Sequence, residues 1–161
     1  MVKGIFVPAD EEQPLEVRDF NGLSDYQAAV SGLIEPMQLE RPSASLFLNE
    51  EGKLMGLPKN RRSTLLLWLH NTRWRGADVL KGDAVVVGEP DGNGETQDVP
   101  DELVTLLLHT ETYKVEVNTI DDLNAWNGNQ MRYEDWQEAY AAGLSLAGRW
   151  FAVNHVRVVP A

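Results

Sequence analysis

Short runs in which apolar and polar residues alternate are the main pattern of this chain. Leu15 to Phe20 and Tyr113 to Val117 both alternate with a period of two residues, which is typical of a half-buried β-strand. Ala84 to Gly88 has no charged residue and predicts a strand at the centre of a sheet. Further strands are predicted over Lys3 to Val7, Leu33 to Leu39 and Phe151 to Val159.

Helical patterns occur between these strands. Tyr133 to Arg149 places apolar residues three and four positions apart, which predicts the longest helix. Asn60 is a predicted N-cap for a helix over Arg61 to His70, and Pro100 opens a helix with two acids in its first turn. Because the elements interleave without a regular βαβ order, we expect an α+β fold with a mixed or antiparallel sheet, several short helices and one longer C-terminal helix.

The segment from residue 45 to 57 predicts a β-hairpin. Ser45 to Leu48 reads as a strand, a tight turn follows from Asn49 to Gly52, and Lys53 to Leu57 reads as the returning strand. Gly52 would supply the positive φ that such a turn requires, so Asn49 and Gly52 are its predicted structural residues.

The C-terminal third of the chain is predicted to extend a core domain. We expect the core domain over residues 1–98 and a helix–strand extension over 99–161, packed on the same core. Within the extension, Thr119 and Asp122 have the spacing of a capping box and predict a short helix ending near Trp126.

The composition of the chain excludes several classes of protein. The 161 residues carry a formal net charge of -11 and no cysteine, which excludes disulfides and thiolate chemistry. The N-terminus has no apolar stretch typical of a signal peptide, and no window is long and apolar enough to span a bilayer. We therefore expect a cytoplasmic protein with no membrane partner.

No sequence motif indicates an enzyme, a cofactor or a metal. Phosphate-binding glycine loops and zinc-binding histidine pairs are absent from the sequence, and His70, His109 and His155 are far apart. Asp91 and Glu95 flank Asn93 at the spacing of calcium ligands, but an acidic turn explains them more simply. We expect no catalytic residue, no metal site and no cofactor.

One basic segment stands out against the acidic background. Residues 53–81 hold seven of the 14 lysines and arginines. Arginine beside an exposed aromatic ring suits phosphate binding and base stacking, so this segment is a candidate site for a nucleotide or nucleic acid. Its candidate binding residues are Arg61, Arg62, Arg73, Trp74 and Arg75. The net negative charge would confine such contacts to one face.

Four stretches of the chain resemble a known family. They are KGIFVPADEEQPLEVRDF, SGLIEPMQL, LFLNEEGKLMGLPKNRRST and DAVVVG, and together they are similar to domain of unknown function 3846 over about residues 3 to 90. The most specific part runs from Asn49 to Asn60. The resemblance implies a setting in phages, plasmids and other mobile elements of bacteria, and it brings no catalytic residues.

Two functional hypotheses follow. The resemblance, the lack of catalytic motifs and the five tryptophans favour a small acidic accessory protein that binds a host protein or defence component inside the host cell. The alternative is binding of a nucleotide or nucleic acid through Arg61 to Arg75. Neither the identity of a partner nor the oligomeric state follows from the sequence.

Overall fold

All residues from Met1 to Ala161 are described by the computed structural model, in which the chain divides into two units. The first unit is Met1–Leu108 and the second is His109–Ala161. The division falls at residue 108 rather than near 98 because the helix that Pro100 precedes belongs to the first unit.

The first unit contains five strands and three α-helices. The strands are β1 Val2–Val7, β2 Glu16–Phe20, β3 Ile34–Leu39, β4 Ala44–Asn49 and β5 Ala84–Gly88. The helices are α1 Leu23–Val30, α2 Arg61–His70 and α3 Asp101–Leu108, with a short 3-10 helix at Thr72–Trp74. The sheet order is β2-β1-β5-β4-β3 with every neighbouring pair antiparallel, so the prediction of an α+β fold is confirmed.

Both faces of this sheet are buried at its centre, whereas the edge strands β2 and β3 are largely exposed. Phe6, Val85 and Phe47 lie side by side on β1, β5 and β4, and they pack with Tyr26 of α1 in one aromatic core. The next row of the register points to the opposite face and is fully buried; it contains Ile5, Val86 and Leu46. β5 therefore lies at the centre of the sheet, as its apolar sequence predicted.

The predicted hairpin over residues 45–57 is wrong in its second half. The antiparallel hairpin partner of β4 is β3, which precedes it, and residues 50–56 form consecutive turns. Leu57 N–H donates to the Gly52 carbonyl and Met55 N–H to the Glu51 carbonyl, so this segment satisfies its backbone locally. The turn at Asn49 to Gly52 is present, but the positive φ occurs at Gly56 rather than Gly52.

The second unit is a three-stranded antiparallel sheet with one helix. Its strands are β6 Tyr113–Thr119, β7 Asp122–Gly128 and β8 Val153–Pro160 in the order β7-β6-β8, and its helix is α4 Trp136–Arg149. The predicted long C-terminal helix is thus confirmed, with Asp135 accepting a capping hydrogen bond from Gln137 N–H. The helix packs on β6 and β8, and the burial of Trp136 and Tyr140 accounts for its apolar face.

The predicted short helix between Thr119 and Trp126 is wrong, because this segment is a strand. β7 pairs with β6 through a register shift, and Asn118 Nδ2 donates to the Leu123 carbonyl across the irregularity. Threonine and aspartate favour turns as well as helix caps, and here they stand at either end of the β6–β7 turn. Strand pairing therefore overrides the local helical signal.

One buried amide connects three parts of the first unit. Asn60 is fully buried; its Oδ1 accepts from Ser63 N–H at the start of α2, at 3.0 Å. Its Nδ2 donates to the carbonyls of Val7 and Gly82, each at 2.9 Å. The side chain therefore caps α2 and also ties it to the end of β1 and to the segment that leads into β5.

Replacing Asn60 by alanine should destabilise the first unit strongly. Asn60→Ala removes the cap and leaves two buried carbonyls without these donors, for an expected loss of about 3 kcal/mol in the free energy of unfolding. Urea denaturation measures this loss, with Asn93→Ala in an exposed loop as the control. Equal stability of the two variants would refute the role assigned to Asn60.

A side chain at position 52 should destabilise the protein because of a close backbone contact, and not because of the φ of Gly52. A Cβ built there would lie 3.0 Å from the Lys81 carbonyl oxygen, whereas one at Gly92 would meet nothing within 4 Å. We expect Gly52→Ala to lower the free energy of unfolding by about 1 to 2 kcal/mol through overpacking. In the same thermal denaturation measurement Gly92→Ala should be close to wild type, and an unchanged Gly52→Ala would show that the turn can move away.

Candidate functional site

Two arginines of the predicted basic site donate hydrogen bonds to backbone carbonyls of the protein itself. Arg62 is buried and donates to the carbonyls of Pro8 and Asp10, at 2.7 and 3.0 Å. Arg75 donates to the carbonyls of Trp68 and Leu69, where α2 ends and its carbonyls need partners. Burial lowers the pKa of both guanidinium groups. These two side chains hold the loops beside α2 in place.

The other predicted site residues are more exposed but do not form one patch. Arg61 lies 4.0 Å from Glu11 in an ion pair, with half of its side chain exposed. Arg73 and Trp74 belong to the 3-10 helix after α2, and 38% of Trp74 is exposed. The structure thus brings Arg73 and Trp74 into one surface feature and leaves Arg61 outside it.

That feature is a groove on both sides of Trp74. Two pockets, of about 430 and 280 Å³, share Met37 and Trp74 as walls, and we refer to them together as the Trp74 groove. The larger one reaches the turn from Asn49 to Leu54, and the smaller one follows the end of β3. The groove therefore joins the most exposed tryptophan of the first unit to the most family-specific segment of the sequence.

Asn49 builds the wall of the larger pocket. Its Nδ2 donates to the carbonyls of Val30 and Ser31 at the end of α1, both at 3.1 Å, and its Oδ1 accepts from Glu51 N–H at 2.8 Å. The same side chain thus terminates α1 and fixes the turn that carries the acids at 50 and 51. Asn49 and Gly52 both line the groove, and Gly52 does so without the positive φ predicted for it.

Carboxylates outnumber cations in the Trp74 groove. Lys53 is engaged by Asp78 in an ion pair on its wall. Negative charge here disfavours a polyanion such as a nucleic acid backbone and favours a partner with basic groups. The five acids are Glu35, Glu40, Glu50, Glu51 and Asp78, and the three cations are Lys53, Arg73 and Lys81.

The backbone of β3 is poorly suited to pair with a further strand, although β3 is at the edge of the sheet. Pro36 has no N–H to donate, and the Gln38 carbonyl already accepts from Asn71 Nδ2 at 2.8 Å. A ligand in the groove is therefore not expected to add a strand to β3. Glu35 and Met37 were missed by sequence reasoning, although strand alternation places them on one face.

The acids around Asp91 have a local structural explanation. Asp91 Oδ1 accepts from the N–H groups of Asn93 and Glu95, both at 2.9 Å, and so closes its own loop. No group of three or more histidine, aspartate or glutamate side chains is placed to hold a metal ion.

None of the helices has the length and apolar composition needed to cross a membrane.

The search for similar proteins finds one family. The model for "Domain of unknown function (DUF3846)" matches residues 2–114. The chain belongs to this family. The match spans the whole sheet and all three α-helices of the first unit, well beyond the stretch near residue 90 where the resemblance was expected to end, and it stops at the start of β6. No curated protein and no solved structure matches the chain.

His70, at the end of α2, is neutral in the folded protein. Burial lowers its pKa to about 4, against a backbone hydrogen bond with Glu40 that acts in the opposite direction. Because the unfolded chain binds a proton near pH 6.5 and the folded chain does not until about pH 4, stability must fall as pH decreases between these values. The end of α2, which precedes the segment carrying Trp74, is therefore expected to become less stable in acid.

We expect acidification from pH 7 to 4.5 to cost the wild-type protein up to about 3 kcal/mol through this one histidine. In His70→Gln that contribution to the pH dependence should disappear, even if the variant is less stable at pH 7. Urea unfolding at both pH values measures the difference, with His109→Gln at an exposed position as the control. Parallel pH dependence of His70→Gln and wild type would contradict the assignment.

Proposed function

We propose that this DUF3846 protein is a non-enzymatic binding protein and that the Trp74 groove takes a segment of a partner protein. The observation that carries the proposal is the position of Trp74, partly exposed between two adjoining pockets of the first unit. Tryptophan in such a position is the residue most often found at the energetic centre of a protein interface.

The lining of the groove supports a defined partner chemistry. Met37 and Trp74 offer an apolar centre, and the surrounding acids favour lysine or arginine next to an apolar anchor. Because β3 is poorly suited to pair with an added strand, recognition depends on side chains. The setting in mobile elements implied by the family resemblance makes a host protein the expected source of this segment.

Nucleic-acid binding remains the alternative, with fewer available residues than the sequence suggested. Arg62 and Arg75 are engaged by backbone carbonyls, so Arg61 and Arg73 are the more exposed arginines of the four candidates. A test of this alternative therefore changes Arg61 and Arg73 only, because substitution of the other two would disturb the fold.

Capture experiments should separate the two functions. Tagged wild-type protein is exposed to a lysate of the host cell, with and without nuclease treatment, next to Trp74→Ala and to Trp150→Ala as the control, since Trp150 is also exposed but belongs to the second unit. We expect a protein that is recovered with wild type and Trp150→Ala and reduced at least about tenfold with Trp74→Ala.

Recovery unchanged by Trp74→Ala would exclude the groove as the binding surface. A signal that is lost on nuclease treatment, and lost again in Arg61→Ala/Arg73→Ala, would replace the protein partner by nucleic acid.

A further inference from the structure

The strands at the edges of the two sheets differ in how well they resist pairing with another chain. β2 is short and charged, β3 contains Pro36, and β7 is interrupted by a register shift. These are features by which edge strands avoid the addition of a further strand. β8 is the longest strand of the protein, and it keeps a regular register with β6 from His155 to Pro160. β8 is therefore the least protected edge.

The hydrogen bonds of β6 show which backbone groups of β8 are unused. Tyr113 donates to Tyr133 and accepts from it, at 2.8 and 2.9 Å, so its groups point away from Pro160, its register partner on β8. One position further along, Ala161 N–H donates to the Thr112 carbonyl at 2.9 Å. Residues that bond to the neighbouring strand therefore alternate with residues that do not, as in any antiparallel ladder.

This alternation places Val156 and Val158 among the residues that do not bond to β6. Both lie an even number of positions before Pro160, so their N–H and C=O groups point to the outer edge of the sheet. β8 packs on β6 and α4, and no other strand pairs with it. These backbone groups consequently form one side of a hydrogen-bond ladder that lacks its second strand.

Helix α4 indicates what brings that second strand. It packs on both β6 and β8, so it lies over the part of the sheet next to the open edge. Its flanks carry apolar side chains that remain partly exposed, namely Ala141, Ala142, Leu144 and Leu146. A bare peptide strand added to β8 would leave the flank beside it uncovered, whereas a copy of the same unit would bring its own α4 to cover it.

We propose that two copies of this chain associate through antiparallel pairing of their β8 strands. The result is one continuous sheet with three strands from each copy and both α4 helices on the same face. Such a contact is isologous, because each copy offers the same edge to the other. The inference does not depend on the Trp74 groove, since β8 and α4 belong to the second unit.

The sequence of β8 selects one register for this pairing. Centring the pair on Val158 would place Pro160, which has no N–H, opposite Val156. Centring it on Arg157 would place two arginines directly opposite each other. Centring it on Val156 avoids both conflicts, because Pro160 then lies beyond the start of β8 of the other copy and each Arg157 faces His155.

Amide hydrogen exchange of the full chain at two protein concentrations tests the pairing without any substitution. In the dimer Val156 and Val158 donate to the second copy, whereas Arg157 and Val159 donate to β6 in monomer and dimer alike. We expect about a hundredfold dilution to speed the exchange of Val156 and Val158 at least about tenfold, and to leave Arg157 and Val159 unchanged. Exchange of Val156 and Val158 that does not depend on concentration would overturn the proposal.

Two proline variants separate the dimer contact from the fold. Val158→Pro removes an N–H that the isolated chain does not use, so in sedimentation velocity it should weaken dimerisation at least about tenfold. Val159→Pro is the matched control, because it removes an N–H that bonds to β6 and should lower Tm by more than Val158→Pro does. A folded Val158→Pro chain that dimerises like wild type would contradict the proposal, and so would a wild type that sediments as a monomer at every concentration.

The register is measured with one spin label per copy, since the chain has no cysteine and Val159→Cys adds a unique site at a partly exposed residue. Pairing centred on Val156 separates the two Cα atoms at position 159 by about 20 Å, whereas centring on Arg157 gives about 14 Å. The longer separation is the expected result. The shorter one would refute the register, and the absence of any dipolar coupling would refute the dimer.

Discussion

Three hydrogen bonds of one side chain, that of Asn60, fix where α2 lies relative to the first sheet. Its amide can be satisfied only when the end of β1, the segment before β5 and the first turn of α2 are all in place, so the three assemble together. The position of the C-terminal end of α2 depends on these contacts as well. There Arg75 binds the last helical carbonyls and Asn71 binds β3. Trp74 lies between these two contacts, and its placement therefore depends on an asparagine at the opposite end of the helix.

Side chains that satisfy backbone groups also explain why the basic segment does not form a basic surface. An arginine fork can satisfy two carbonyls at once, and Arg62 and Arg75 are used in this way where loops meet α2. Part of the positive charge of residues 53–81 therefore lies inside the protein and not at its surface. On the outside, the acids of β3 and of the turn after β4 dominate the Trp74 groove. The proposal of a protein partner rests on this difference between charge in the sequence and charge at the surface.

Local signals predicted most of the elements, and the two errors have different causes. Asn60 as an N-cap, β5 as the central strand and the C-terminal helix all follow from residue patterns that act over one or two turns. Gly52 was misread because a glycine can be required by a carbonyl 29 positions away as well as by its own φ. The segment after Thr119 was misread because strand pairing with β6 overrides a capping pattern. The first depends on a contact distant in sequence, and the second on a hairpin with the preceding strand.

The candidate site was predictable only in part, because its walls come from segments that are distant in sequence. Trp74 and Arg73 could be identified from an aromatic residue between arginines, whereas the role of Met37 in the groove requires knowing that β3 lies beside the 3-10 helix. The central claim, that the Trp74 groove is the binding surface, is tested most directly by amide hydrogen exchange of the full chain with and without its purified partner. Binding should slow exchange in residues 34–40, 49–54 and 72–81; protection confined to residues 109–161 would contradict the account.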